Sequence, residues 1–230
     1  MAHLELLIQA PAKAAQLIVL LHGKNGSPGD MQALGQALAE SFPQARVLAP
    51  QAPLAAQAPG HGHLWFEVEA EEERFSPRHI DSAMIGLGER MVMWQSQAEI
   101  SRAETALIGF GQGATLALQS TLLATPWADR VMALAGAFAQ KPVGLHYLGS
   151  VHLLHGKNDA LTHWKTVLED AYCLRDSGID MTAEILPLIG HEMHPTMIKK
   201  ATERLSTHIS KHLFEAAMTQ APGNDKPALQ

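Results

Sequence analysis

The sequence predicts an α/β fold with a mostly parallel central sheet and helices on both of its faces. Three observations point there. Short apolar runs alternate along the chain with longer segments of helical periodicity, the order that builds parallel sheets covered by helices. The strongest run, Gln16 to Leu21, is apolar without alternation, as a strand buried on both faces is. Apolar residues make up 47% of 230 positions and charged residues 17%, a balance that supports a sizeable core.

Taken in order, residues 3–9 read as an edge strand and Gln16–Leu21 as a central one. After the loop HGKNGSPGD, Ser27 as N-cap and Pro28 at the first helical position open a helix expected to reach about Phe42. Arg46–Ala49 is a short strand, PQAP a rigid turn, and the Ala-, Pro-, Gly- and His-rich stretch 54–63 a loop. Ser76-Pro77 opens a second helix, on which Ile80, Met84, Leu87, Met91 and Trp94 form an amphipathic stripe. A strand over Thr105–Phe110 ends at a glycine-rich turn, and a helix follows to about Ala124. Strands are expected at Arg130–Leu134, Val151–His155 and Met181–Leu186, and helices at Thr162–Ser177 and about Pro195–Phe214. No repeat, low-complexity block or linker argues for a second domain. The expectation is one domain over 1–217, with 218–230 a disordered tail.

A net charge of −6 gives no reason to expect nucleic acid, whose binders carry basic patches. The lone cysteine, Cys173, excludes an intrachain disulfide and fits a reducing compartment. The N-terminal MAHLELLIQA lacks a signal-peptide pattern, and the longest apolar run is too short to span a bilayer. The expectation is a soluble, cytoplasmic protein without membrane insertion.

The most informative segment is ALIGFGQGATLAL, a strand, a turn and a helix start. Its frame Gly109-Phe110-Gly111-Gln112-Gly113 has both flanking glycines of a G-x-S-x-G elbow, with glycine in place of the central serine. The same letters satisfy G-x-G-x-x-A through Gly109, Gly111 and Ala114, a dinucleotide-binding pattern. That pattern belongs on the first strand of a βαβ unit with an acid about 20 positions on. Here it follows the middle strands, and the next acid, Asp129, precedes a strand. A tight turn without chemistry is the third reading. Two later segments separate them. After one buried strand HGKNDA carries Asp159, and after another IGHEMH carries His191. The order elbow, acid, histidine is that of a hydrolase triad, and all three positions fall just beyond strand C-termini. In that arrangement Asp159 orients the imidazole and His191 acts as general base, then acid.

The chain resembles the phospholipase/carboxylesterase group of α/β-hydrolases from about Leu17 to Leu213. LHGKNG is similar to that group's HG loop, LAPQAP to its P-x-A-P turn and LWFEV to its W-F segment. IGFGQGATLAL is similar to its GFSQGG or GFSQGA elbow, and VMALAGAF to its A-L-S-G strand end. LHGKND and IGHEMHP are similar to its acid and histidine loops. The resemblance implies an α/β-hydrolase fold and cofactor-free hydrolysis of small acyl esters or thioesters. It implies Asp159 and His191 as triad acid and base, with Gly111 where serine is expected. The N–H groups of Lys24 and Gln112 would form the oxyanion hole, and Trp65 and Phe66 would shape the substrate side of the cleft. It leaves a homodimer open.

Glycine has no Oγ, so no acyl-enzyme forms, and hydrolysis is expected to be absent or very slow. Three accounts fit: a deliberate replacement, a natural pseudoenzyme that binds an acyl ligand or a partner protein, or water activated by His191 in the space the hydroxyl leaves. A dinucleotide-binding module stays as a further alternative. His61, His63 and the pair His191, His194 invite a metal reading, but H-E-M-H is one residue short of H-E-x-x-H and sits in a loop, so no metal site is expected. Cys173 reads as a packed small residue and the acidic run 69–73 as a solvated loop. Met84, Met91, Met93 and Trp94 read as helix packing, although Met-rich faces also bind acyl chains.

Overall fold

In a computed structural model, residues 4–57, 62–68 and 77–207 are described, with the side chains of 77–79 left aside. His61, the acidic run 69–73, Ser76, the last helix beyond 207 and the tail 218–230 lie outside the described residues.

Nine strands and five α-helices follow one another along these residues. β1 (Glu5–Gln9), β2 (Gln16–Leu21), α1 (Gln32–Ser41) and β3 (Ala45–Pro50) come first. β4 (Leu54–Ala55), β5 (His63–Leu64), α2 (Pro77–Ala98), β6 (Thr105–Phe110) and α3 (Gln112–Ser120) follow. β7 (Arg130–Leu134), β8 (Ser150–Gly156), α4 (Trp164–Asp176), β9 (Asp180–Leu186) and α5 (Pro195–Thr207) complete the set. Seven strands form one sheet in the order β1-β3-β2-β6-β7-β8-β9. β1 is antiparallel to β3 at one edge, and every other pairing is parallel.

The unbroken apolar run of β2 has a direct cause. Leu17, Val19 and Leu21 point into one core, and Ile18 and Leu20 into a second on the opposite face. The first core is closed by α2, α3 and α4 through Leu87, Met91, Trp94, Leu116, Val167 and Leu174. The second is closed by α1 and α5 through Leu34, Leu38, Met197, Ala201 and Leu205. Both faces of the sheet are covered, as continuous apolar strands require. The α2 stripe expected from spacing is its buried face, with Met84 only partly covered and Met93 exposed.

The chain steps from β2 outward to β3, then returns past β2 to β6. The strand order therefore reverses between β2 and β6, where the loops beyond the strand ends part and open a crevice. Leu21 pairs with Gly109, so the segment after β2 runs beside the turn after β6.

Several boundaries differ from expectation. The first helix begins as a 3-10 turn over Pro28–Met31, where the Asp30 carboxylate accepts the Ser27 N–H at 2.8 Å. The stretch 54–63 is not all loop, because β4 and β5 pair antiparallel, two residues each, too short to register as a period. α3 ends at Ser120 instead of about Ala124. Ser120 and Thr121 hydroxyls take the carbonyls of Ala117 and Leu118 (2.6 and 2.7 Å), and the chain tightens into i→i+3 bonds through Leu123. α4 starts at Trp164, two residues late, because the Leu161 and Thr162 N–H groups are claimed by Asp159 and the Thr162 carbonyl by His155.

Candidate active site

Gly111 sits between β6 and α3 with φ 54° and ψ −115°, a backbone conformation that side chains rarely adopt. The turn is this tight because β6, α3 and β2 approach one another closely. A Cβ on Gly109 would lie 2.1 Å from the Gly113 carbonyl carbon, and one on Gly113 would lie 2.3 Å from the Leu21 carbonyl oxygen. The flanking glycines thus serve close backbone approach, which accounts for the glycine pattern without a nucleotide. α3 begins directly at this turn, and the first of its N–H groups without a helical partner belongs to Gln112.

The acid and the base are brought to this turn by backbone bonds between their own loops. The Lys157 N–H donates to the Leu186 carbonyl and the Asn158 N–H to the Ile189 carbonyl, at 2.8 and 2.9 Å. The loop after β8 is thereby tied to the loop after β9. Across that tie the His191 Nδ1–H donates to Asp159 Oδ2 at 2.8 Å. Asp159 Oδ1 accepts the N–H groups of Leu161 and Thr162 at 2.8 and 2.9 Å. The carboxylate is fully buried, while His191 is 22% exposed. Burial pushes the Asp159 carboxyl up, but the hydrogen bond from His191 and the two N–H groups outweigh it and hold it below the ordinary carboxylate range. A carboxylate so held selects the tautomer: the neutral ring carries its proton on Nδ1, and Nε2 is the nitrogen that faces the turn. A Cβ built on Gly111 would lie 3.3 Å from that Nε2. An oxygen one bond further on is within hydrogen-bond reach of the imidazole.

Two buried histidines complete the surroundings, and sequence reading assigned neither a role. The His155 Nε2–H donates to the Thr162 carbonyl at 2.8 Å and lies 3.5 Å from Asp159 Oδ2. Burial lowers its pKa, more than the Thr162 bond and the Asp159 charge raise it, so the ring stays neutral beside the carboxylate. His22, at the end of β2, is likewise kept neutral mainly by burial. Its ring bonds both Gly23 and Ala52. No sequence period marks such residues, because their partners lie on separate elements.

Trp65 and Phe66 are both 2% exposed. The Trp65 N–H donates to Gln112 Oε1 at 3.1 Å, Gln112 Nε2 donates to the Phe66 carbonyl at 2.9 Å, and the Trp65 indole N–H donates to the His22 carbonyl at 2.7 Å. Trp65 also walls a cavity of about 360 Å³ with Pro53, Leu87, Arg90 and Met93. A smaller pocket of about 240 Å³ lies directly at the base, lined by Gly23, Lys24, Met31, Phe110, His191 and Met193. Phe110 packs its ring on His191 with centroids 4.9 Å apart. His63 bonds the Gln51 amide, and the His194 Nδ1 accepts the Thr196 N–H at the start of α5. Among the described residues no helix is long and apolar enough to cross a membrane.

The model of the phospholipase/carboxylesterase family matches residues 3–209. Esterase YpfH of Escherichia coli (strain K12) is 31% identical over 227 residues, which cover 98% of this chain and 97% of that protein. Among solved structures, esterase PE8 is 28% identical with a TM-score of 0.76 over 84% of this chain and 92% of its own. The Bacillus cereus carboxylesterase, 18% identical, shares the fold with a TM-score of 0.71 over 87% of this chain and 91% of its own.

Proposed function

This chain belongs to the phospholipase/carboxylesterase family, and from that premise we propose that its site is built for hydrolysis of small acyl esters and lacks only the nucleophile. The observation that carries the reading is the relation of three groups. Asp159 holds His191, and His191 presents its Nε2 3.3 Å from where a side chain at 111 would begin. With serine there, the Oγ attacks the acyl carbon while Nε2 takes the hydroxyl proton. The carbonyl electron pair moves onto oxygen, which the Lys24 and Gln112 N–H groups face as an oxyanion hole. Collapse expels the alcohol or thiol, to which His191 returns the proton. Water then repeats the sequence on the acyl-enzyme. The 240 Å³ pocket beside His191 suits a short acyl chain better than a long one.

As the chain stands, Gly111 offers no oxygen, and the reaction is absent or limited to slow attack by water. In a serine protease, loss of the whole triad leaves roughly 10³–10⁴-fold over water from the hole and binding. The test is turnover of p-nitrophenyl acetate by the parent and by the Gly111→Ser variant. Activity in the variant that a covalent serine inhibitor abolishes, with a silent parent, is the expected outcome. A folded Gly111→Ser protein without turnover refutes the reading. The second reading, a binder of acyl ligands or of a partner protein without turnover, is favoured by the persistence of the dyad and its pocket around a glycine. It is supported if the parent binds short carboxylic acids with a shift of the His191 resonances.

A further inference from the structure

We propose that His22 is a positioning residue of the oxyanion hole: its imidazole holds the Gly23–Lys24 peptide in the orientation that turns the Lys24 N–H into the site. The inference rests on the reading above and adds a residue to it.

The geometry settles the state of the ring. His22 Nδ1 lies 2.8 Å from the Gly23 carbonyl oxygen, which can only accept, so Nδ1 carries the proton. Nε2 lies 3.1 Å from the Ala52 N–H, which can only donate, so Nε2 is bare. The ring is fully buried, and burial is the main cause that keeps it neutral, as both bonds require. Asp30 draws its pKa up, and His63 and Arg90 push it down.

The Gly23 carbonyl is held a second time by the Gly26 N–H at 3.1 Å. In a trans peptide the C=O and the following N–H point in opposite directions. With the carbonyl anchored toward the His22 ring, the Lys24 N–H faces away from it, and it has no acceptor among the described residues. Gly23 Cα lies 3.6 Å from the place of a Cβ on Gly111, so this peptide borders the reacting position. The other donor is linked to the same frame. The Gln112 side chain clamps Trp65 and Phe66, and the Trp65 indole fixes the His22 carbonyl. One hydrogen-bonded chain therefore runs from the Gln112 donor to the Lys24 donor. It sets their spacing before substrate arrives, which is what preorganised stabilisation requires.

Two substitutions separate this role from a general structural one. Asparagine places an amide nitrogen near the Nδ1 position and keeps the bond to Gly23 while losing that to Ala52. Glutamine reaches the Nε2 position and keeps the acceptor for Ala52 while losing the Gly23 bond. In the Gly111→Ser background, His22→Gln is expected to lower kcat about 10²-fold with little change in KM, the size of one lost oxyanion donor, and His22→Asn to stay at least about tenfold above it. Equal losses in both, or a larger loss in His22→Asn, overturn the proposal. Thermal unfolding of each variant confirms that folded protein is compared. A second measurement needs no turnover. In the parent chain, 15N NMR is expected to show His22 protonated on Nδ1, and the Lys24 amide signal to move in His22→Gln and hold its place in His22→Asn. An Nε2-protonated ring, or a Lys24 amide that ignores both changes, overturns it equally. If Gly111→Ser is inactive while the NMR results are as expected, the esterase reading has failed and the positioning of the peptide stands.

Discussion

Placing serine at 111 is expected to weaken the fold while it supplies the proposed nucleophile. Gly111 adopts φ 54° and ψ −115°, where a side chain is strained by roughly 1–3 kcal/mol. Its new Cβ meets His191 Nε2 at 3.3 Å and Cε1 at 3.5 Å, a tight contact that the partly exposed imidazole relieves by a small shift. Replacing glycine also restricts the unfolded chain, which returns about 0.4–1 kcal/mol. The net is a loss of about 1–2 kcal/mol, or a fall in Tm of about 2–8 °C for a chain of this size. Gly86 supplies the control. It lies inside α2 with open space at its Cβ position, so Gly86→Ala is expected to stabilise by about 0.5–1 kcal/mol. Differential scanning calorimetry of both variants against the parent reads the contrast. A Gly111→Ser protein as stable as the parent, or more so, would refute the strained turn and with it the elbow.

Other outcomes follow from the same geometry. In the Gly111→Ser background, Asp159→Asn is expected to lower kcat by about 10⁴-fold, the size seen for that change in a serine-protease triad, and steady-state kinetics reads it. Gln112→Ala orphans the buried Trp65 N–H, at about 1–3 kcal/mol, read by urea unfolding. His22 and His155 have folded pKa values below their ordinary 6.5 because both are buried, so the unfolded chain binds more protons than the fold below that value. Stability is therefore expected to be full above about pH 6.5 and to fall as pH drops toward the folded values, with proton uptake on unfolding; Asp159, held below its ordinary 3.8, adds a further loss at lower pH. Urea midpoints between pH 7.5 and 5 measure the first effect, and a flat profile there counts against neutral buried rings.

Much of this fold was legible because its signals are local. The run QLIVLL announces a strand buried on both faces, and the spacing of Ile80, Leu87, Met91 and Trp94 announces the buried face of α2. The tight turn after β6 showed through the two glycines that flank Gly111, since close approach of β2, β6 and α3 demands them whatever stands at 111. Asp159 and His191 were readable from their order after strands, and the structure joins them at 2.8 Å. What stayed hidden depends on contacts between distant segments. His22 bonds Ala52, His155 bonds Thr162 across a turn, and Gln112 grips residues 46 and 47 positions away. The end of α3 was misplaced because two hydroxyls compete with the helix for carbonyls, which propensity alone does not reveal. Trp65 reads as a cleft residue by resemblance, yet its indole and amide N–H groups are both committed to the frame around the turn.

The most direct test of a complete site without a nucleophile is covalent labelling read by intact-protein mass. The Gly111→Ser protein, treated with a fluorophosphonate, is predicted to gain one adduct located on residue 111. The parent is predicted to gain none, and the Gly111→Ser protein that also carries His191→Ala to react far more slowly. A folded Gly111→Ser protein that takes no adduct, or one whose labelling is indifferent to His191, would contradict the account.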